Sequence, residues 1–253
     1  MNILTTINHW QKEKKILSMK SIGFVPTMGN LHDGHISLIK RSKSENDITI
    51  VSIFINPTQF NQQSDYDLYP RTIREDQALL QKNGVDYLFF PSREEIYHDQ
   101  FQVRVDETSL SLELEGKYRP GHFTGMLTIV LKLLNIVNPT NAYFGEKDYQ
   151  QLLLVKKMVD ALFLPINIIA CPTVRASDGL ALSSRNTRLT SEQRELAAHF
   201  PRLLACHLPV EKIKEELQNL GFQVDYIFDQ WQRRLGAVWL SDVRLIDNFK
   251  IGD

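Results

Sequence analysis

The sequence predicts an α/β fold: a doubly wound parallel sheet followed by a small C-terminal α/β domain. Three observations predict it. Short apolar runs alternate with segments of helical period over residues 1–175. The runs are continuous rather than alternating, as strands buried on both faces require. From residue 176 to 253 the texture changes to shorter amphipathic stretches.

The first two strands are IGFVP at 22–26 and ITIVSIFI at 48–55, joined by the helical ISLIKRSKSE into a βαβ unit. YLFFP at 87–91, AYFG at 142–145 and INIIAC at 166–171 supply further strands. Between the last two, YQQLLLVKKMVDAL places apolar residues at 152, 155, 158, 159 and 162, the spacing of a helix with one buried face. The domain boundary falls in VRASDG near residue 176. Beyond it, Thr190 and Gln193 stand at capping-box spacing at the head of TSEQRELAAHFPRLLACH. KIKEELQNLGF, VDYIFD and AVWLSDVRLID complete the small unit.

At 253 residues, 43% of them hydrophobic, the chain can fill a substantial core. Its 29 basic and 30 acidic residues nearly cancel, which argues against nucleic acid or membrane as the main partner and requires any anion to be held locally. Cys171 and Cys206 are far apart in sequence, as expected of a reducing compartment rather than a disulfide scaffold or zinc cluster. MNILTTINHWQKEKK lacks the apolar segment of a signal peptide, so the expected location is the cytoplasm.

In open parallel sheets ligands collect beyond the carboxyl ends of the strands, and three polar loops fall at such ends. In MGNLHDGH, Gly29 and Gly34 permit close backbone approach, and a helix starting near Gly34 offers unpaired N–H groups to phosphate. His32 and His35, three apart, can share one face of that first turn and donate hydrogen bonds to phosphoryl oxygens. The competing reading is a glycine-rich turn with surface histidines. NPTQF contains Asn56 and Gln59, where Asn56 is either a pocket residue or an Asn-Pro turn former. GEKDYQQ carries Lys147, which can neutralise a triphosphate, while Glu146 and Asp148 can hold nucleotide hydroxyls or metal-bound water. A solvated charged helix start is its alternative. Downstream, TVRASDGLALSSRN offers the hydroxyls of Ser183 and Ser184, the Arg185 fork and a flexible Asp178-Gly179 turn; it reads as a phosphate-covering lid loop or as a polar interdomain linker.

PTMGNLHDGH, FINPTQF, ELEGKYRPGHFTGMLTIVLKLLNIVNP, GEKDYQQ and PTVRASDGLALSSRN, in this order, resemble the pantoate–β-alanine ligase family (pantothenate synthetases) of the HxGH nucleotidyltransferase-like superfamily. The resemblance covers residues 20–190 densely. It implies a Rossmann-like ATP- and pantoate-binding domain over residues 1–175, a C-terminal lid over 176–253, and a homodimer joined through elements near residues 103–135. It further implies Mg²⁺-dependent condensation of (R)-pantoate with β-alanine through a pantoyl adenylate. The ATP site it implies comprises Met28, Gly29, Asn30, Leu31, His32, Asp33, Gly34, His35, Gly145, Glu146, Lys147, Asp148, Val174, Leu182, Ser183, Ser184 and Arg185. His35 matches the family's proton donor, Gln59 its pantoate- and β-alanine-binding glutamine, and Gln151 its second pantoate glutamine. The catalytic set implied is His35, His32, Lys147, Ser183, Ser184 and Arg185, with Mg²⁺ held mainly by ATP phosphates. Pro26, Phe54 and Phe60 are candidates to pack against pantoate's geminal methyls. Leu182 stands where the family usually has methionine, and the C-terminal part is shorter than the family's usual domain. Two rival readings are a nucleotidylyltransferase acting on a phosphorylated acceptor, which would need a cationic acceptor pocket, and a non-catalytic nucleotide-binding module.

Overall fold

A computed structural model describes residues 1–251. The chain forms two compact units: residues 1–145 with 150–171, and residues 146–149 with the chain from Pro172 onward.

The first unit carries six strands: β1 (Asn2–Leu4), β2 (Ile22–Thr27), β3 (Ile48–Ile53), β4 (Tyr87–Phe89), β5 (Asn141–Gly145) and β6 (Asn167–Cys171). They pair in parallel in the order β1-β4-β3-β2-β5-β6, the doubly wound sheet expected from the apolar runs. Phe24, Val25, Ile50 and Val51 are fully buried, each contributing roughly 1.5–3 kcal/mol. The helix Asp33–Glu45 buries Ile36, Leu38, Ile39 and Ser42, which matches its apolar spacing.

β1 had no visible signal, because three residues are too short to show a period. It forms by pairing with β4 at the sheet edge, Ile3 opposite Leu88. The fully buried Trp10 anchors the helix Ile7–Ile16 that follows, its Nε1 donating to the Ile136 carbonyl at 2.9 Å. From β2 the chain winds through β3 to β4 in one direction, and then through β5 to β6 in the other. The strand order therefore reverses between β2 and β5, and their carboxyl ends flank the position where such sheets bind ligands.

In the second unit, β7 (Gln223–Gln230), β8 (Arg233–Leu240) and β9 (Val243–Lys250) form an antiparallel sheet in that order. The helices Ser191–Ala197, His199–Leu204 and Val210–Asn219 accompany it. Phe200, Leu204, Ile213, Leu217, Ile227 and Val238 form its core. The anticipated capping box is present: the Thr190 side chain accepts from the Gln193 amide at 3.2 Å, and the Gln193 side chain accepts from the Thr190 amide at 2.9 Å. Both strand connections are two-residue hairpins, Trp231-Gln232 and Ser241-Asp242. Trp231 and Gln232 have φ of 54° and 55°, the left-handed pair of a type I′ turn without its usual Asn or Gly.

No described helix is long and apolar enough to cross a membrane. Cys171 is buried and Cys206 is half-buried; the two do not form a disulfide.

One surface carboxylate makes the fold acid-sensitive. Burial pushes the Glu107 carboxyl up, but Lys157 and the Ser111, Ser109 and Leu110 amides outweigh it and bring the pKa down to about 2. The Lys157 ammonium lies 2.6 Å from one carboxylate oxygen, and the Ser111 amide 2.7 Å from the other. A depressed carboxyl stabilises the fold above its unfolded pKa and loses that contribution as pH falls through the folded one. Glu107→Gln is therefore expected to lower the urea midpoint at pH 7, with the gap from wild type closing as pH falls from about 4.5 towards 2. A gap independent of pH would contradict this account.

Candidate active site

The MGNLHDGH loop leaves β2 at Thr27 and enters the helix Asp33–Glu45. Gly29 and Asn30 lie in the left-handed region, with φ of 80° and 49°. A Cβ at Gly29 would stand 3.0 Å from the Asp76 carboxylate, so glycine answers both the torsion and the space. The Asp76 carboxylate, 3% exposed, accepts from the Asn30 amide at 3.0 Å and the Leu31 amide at 2.8 Å. Thr27 Oγ1 takes the Gly29 amide at 3.2 Å.

The histidines form the helix cap. His32 is the N-cap, its Nδ1 accepting from the Gly34 amide at 3.2 Å, and His35 Nδ1 accepts from the His32 amide at 3.3 Å. This is the reciprocal geometry of a capping box, built from two imidazoles. The Gly34 amide in the first helical turn has an acceptor within the protein, as do the 29, 30, 31 and 32 amides that precede the helix. An Nδ1 that accepts leaves the proton of a neutral ring on Nε2. The two ring centroids lie 4.1 Å apart, with the ring planes at 39°. Asp33 is exposed at the helix start.

Gln59 lies in the short turn Pro57–Gln59 beyond β3, and its amide is oriented. Asn56 Nδ2 donates to Gln59 Oε1 at 3.0 Å, and Gln59 Nε2 donates to Met28 Sδ at 3.2 Å. Asn56, 1% exposed, also donates to the Gly125 carbonyl at 3.1 Å and accepts from Tyr97 Oη at 2.7 Å. Burial pushes the Tyr97 hydroxyl up to about 12, so it stays a proton donor at neutral pH. His122 Nδ1 donates to the Gln59 carbonyl at 2.8 Å, fixing the backbone as well. Asn56 is thus more than a turn former. Phe54 is buried, whereas Pro26 and Phe60 are half-buried. In the helix Tyr149–Ala161, Gln150 accepts from the Glu115 amide and donates to the Leu110 and Glu113 carbonyls, a structural set. Gln151, next to it, is half-buried.

In the second unit, Glu146–Asp148 forms a 3-10 turn. One oxygen of the Glu146 carboxylate pairs with the buried Arg233 guanidinium at 2.7 Å. The Lys147 side chain is 18% exposed and lies 3.7 Å from the more exposed Asp148 carboxylate. Gly145 ends β5 in the first unit.

The 174–182 segment is a hydrogen-bonded hairpin rather than a flexible turn. Leu182 donates to the Val174 carbonyl at 2.9 Å, Arg175 pairs with Ala181, and Asp178 accepts from the Leu180 amide and from Arg194. Arg175 binds Asp247 of β9 with both terminal guanidinium nitrogens, at 2.6 and 2.9 Å. The two compact units divide between Cys171 and Pro172. Ser183 Oγ caps the turn Ser184–Arg188 by accepting from the Arg185 amide at 3.3 Å. Ser184 is buried and Arg185 half-buried. Among the described residues no three His, Cys, Asp or Glu side chains gather as metal ligands. A Mg²⁺ ion that keeps its waters and binds mainly to phosphates needs no such cluster.

Asp76, Tyr97, His122, Arg233 and Asn248 went unassigned in the sequence, because each acts through a fold contact and none sits in a diagnostic spacing. The family model for pantoate-beta-alanine ligase matches residues 2–250. A pantothenate synthetase of Legionella pneumophila is 52% identical over 250 residues, covering 98% of this chain and 99% of that protein. The pantoate-beta-alanine ligase of Francisella tularensis, crystallised with beta-gamma ATP and beta-alanine, superposes with TM-score 0.95 at 46% identity over 99% of this chain and 97% of its own. Pantothenate synthetase of Thermus thermophilus gives 0.92 at 40%, covering all of both chains. The compact C-terminal part is therefore shared with these relatives rather than peculiar to this chain. With the family's model matched almost end to end and relatives near half identity over their full length, this chain belongs to the pantoate-beta-alanine ligase family and is an enzyme of that class.

Proposed function

We propose that the chain condenses (R)-pantoate with β-alanine, converting ATP to AMP and diphosphate, through an enzyme-bound pantoyl adenylate. A carboxylate is a poor electrophile, and adenylation supplies its leaving group. A pantoate carboxylate oxygen attacks the ATP α-phosphorus, and the bond from that phosphorus to the β-phosphate bridging oxygen breaks, releasing diphosphate. The uncharged amine of β-alanine then attacks the acyl carbon, the acyl–oxygen bond to AMP breaks, and the amine loses a proton. Neither step needs a protein nucleophile, so the side chains position groups and stabilise charge.

The observation that carries this reading is the Gln59 amide, held by Asn56 and Met28 and leaving the same sheet edge as the histidine cap. A fixed neutral amide can bind pantoate's hydroxyl and carboxylate without drawing electron density from the nucleophilic oxygen as a cation would. Gln151 is assigned as its pantoate-binding counterpart, and Gln59 also to β-alanine. His32 and His35 supply Nε2–H donors to phosphoryl oxygens, with His35 as the proton donor. Lys147, Ser183, Ser184 and Arg185 are assigned to the nucleotide phosphates, and the remaining residues of 28–35, 145–148, Val174 and Leu182 to ATP contacts. Mg²⁺, carried on the phosphates, would neutralise part of their charge. The Francisella tularensis ligase, crystallised with beta-gamma ATP and beta-alanine, supports the choice of both substrates.

The same reading makes the protein a cytoplasmic homodimer. Val103 and Leu112, exposed at 71% and 67%, lie in the region assigned to the dimer contact. Purified protein is expected to form AMP from ATP only when pantoate is present, and to release pantothenate when β-alanine is added. Well-folded protein giving neither product would refute the assignment.

A further inference from the structure

The β9 strand carries two adjacent polar residues buried in the second unit, Asp247 at 4% and Asn248 at 3% exposure. Their side chains grip different segments. Asp247 binds Arg175 of the 174–182 hairpin through both of its oxygens. Arg175 also donates to the Gly179 carbonyl at 3.0 Å and stacks 3.9 Å from the Phe249 ring centroid. Asn248 reaches the other segment: its Nδ2 donates to the Glu146 carbonyl at 2.9 Å and the Lys147 carbonyl at 3.0 Å. Its Oδ1 accepts from Arg233 at 2.6 Å, and Arg233 in turn holds the Glu146 carboxylate and lies 4.2 Å from the Tyr149 ring centroid. The Asn248 amide donates to Asp247 Oδ1 at 2.8 Å, which joins the two grips. The Asn248 side chain therefore binds the turn that bears Lys147 directly through Nδ2, while its Oδ1 is held by the Arg233 that pairs with Glu146.

We infer that Asp247 and Asn248, with Arg233, are positioning residues for nucleotide binding: one rung of β9 sets both the backbone that aims Lys147 and the hairpin that leads into Ser183, Ser184 and Arg185. The inference rests on the ATP-dependent reading above and names residues that reading does not contain. The physical reason is the stiffness of the clamp. A lysine is a point charge on a flexible stem, and its reach is fixed only as well as its Cα. A short 3-10 turn has few internal hydrogen bonds to fix it. Two carbonyls bound by one buried amide, itself held by a guanidinium, supply what the turn lacks.

The test is ATP binding by calorimetry to the full chain with Mg²⁺ present and pantoate absent, alongside pantoate binding and steady-state kinetics. Asn248→Ala is expected to raise the ATP dissociation constant about ten-fold, as loss of oriented hydrogen bonds does, while pantoate affinity stays within about two-fold. KM for ATP should rise with it, and amide hydrogen exchange at 146–149 should accelerate. Arg233→Lys, which keeps the charge but loses the fork, is expected to give a smaller shift of the same kind and serves if Asn248→Ala fails to fold. Asp247→Asn should weaken ATP binding through the other segment, and its combination with Asn248→Ala should be less than additive if the two form one device. Folded variants that lose thermal stability but keep wild-type ATP affinity and exchange would reduce these residues to a structural role and overturn the inference. Wild-type protein that binds no ATP would instead overturn the enzymatic reading, so the two failures are distinguishable.

Discussion

His35→Ala is expected to slow pantoyl-adenylate formation by about 10²–10⁴-fold while weakening ATP binding by less than about ten-fold. The His35 imidazole accepts from the His32 amide through Nδ1, which leaves the proton of the neutral ring on Nε2, and in the proposed mechanism that group is a preoriented donor. Alanine removes that donor and also frees the His32 amide, a change of roughly 1 kcal/mol in stability that a melting curve reads separately. Single-turnover quench of enzyme, ATP and pantoate measures the chemical step. A variant with wild-type burst rate would remove His35 from the chemistry and leave it a helix cap. His35→Gln, which can donate through its amide, should recover part of the rate.

Gly125→Ala is expected to impair the proposed pantoate side of the site without replacing any proposed ligand. Gly125 lies in the helix His122–Val137 where it crosses the Pro57–Gln59 turn. A Cβ there would stand 2.8 Å from the Gln59 amide nitrogen and closer still to the Thr58 carbonyl. These are backbone atoms, so the turn must move as a body, and the Asn56 to Gly125 hydrogen bond and the Gln59 amide orientation go with it. Overpacking of this kind destabilises by about 1–3 kcal/mol. The expected result is a lower melting temperature together with a large rise in KM for pantoate, with ATP binding little changed. Unchanged pantoate KM would show that the close approach has no part in holding Gln59.

The paired effects explain which parts of this protein can be read from its sequence. β2 and β3 declare themselves because strands covered on both faces must be apolar throughout, and the Asp33–Glu45 helix does so because one face is buried at a period near 3.6. The Thr190 and Gln193 cap is equally visible, since its chemistry is local. The hairpins at Trp231-Gln232 and Ser241-Asp242 are not, for they lack the Asn-Gly type of signal and are closed by the pairing and packing of β7, β8 and β9. β1 is likewise a product of the edge it joins.

The site divides along the same line. HDGH, the two glutamines, Lys147 and SSRN stand in fixed spacing, and so their resemblance to one family is legible in the chain itself. What their neighbours do to them is not. Only the tertiary structure brings Asp76 under the Asn30 and Leu31 amides, makes the histidines cap one another, turns Glu146 to Arg233, and sets Asn56, Tyr97 and His122 around Gln59. The sequence by itself determined the sheet, the helix faces and the family resemblance that nominates the candidate groups, because burial period and motif spacing are properties of neighbouring residues. Orientation was decided by contacts between residues far apart in the chain, where a hydrogen bond's direction depends on how strands and helices pack and on nothing in the local order of amino acids.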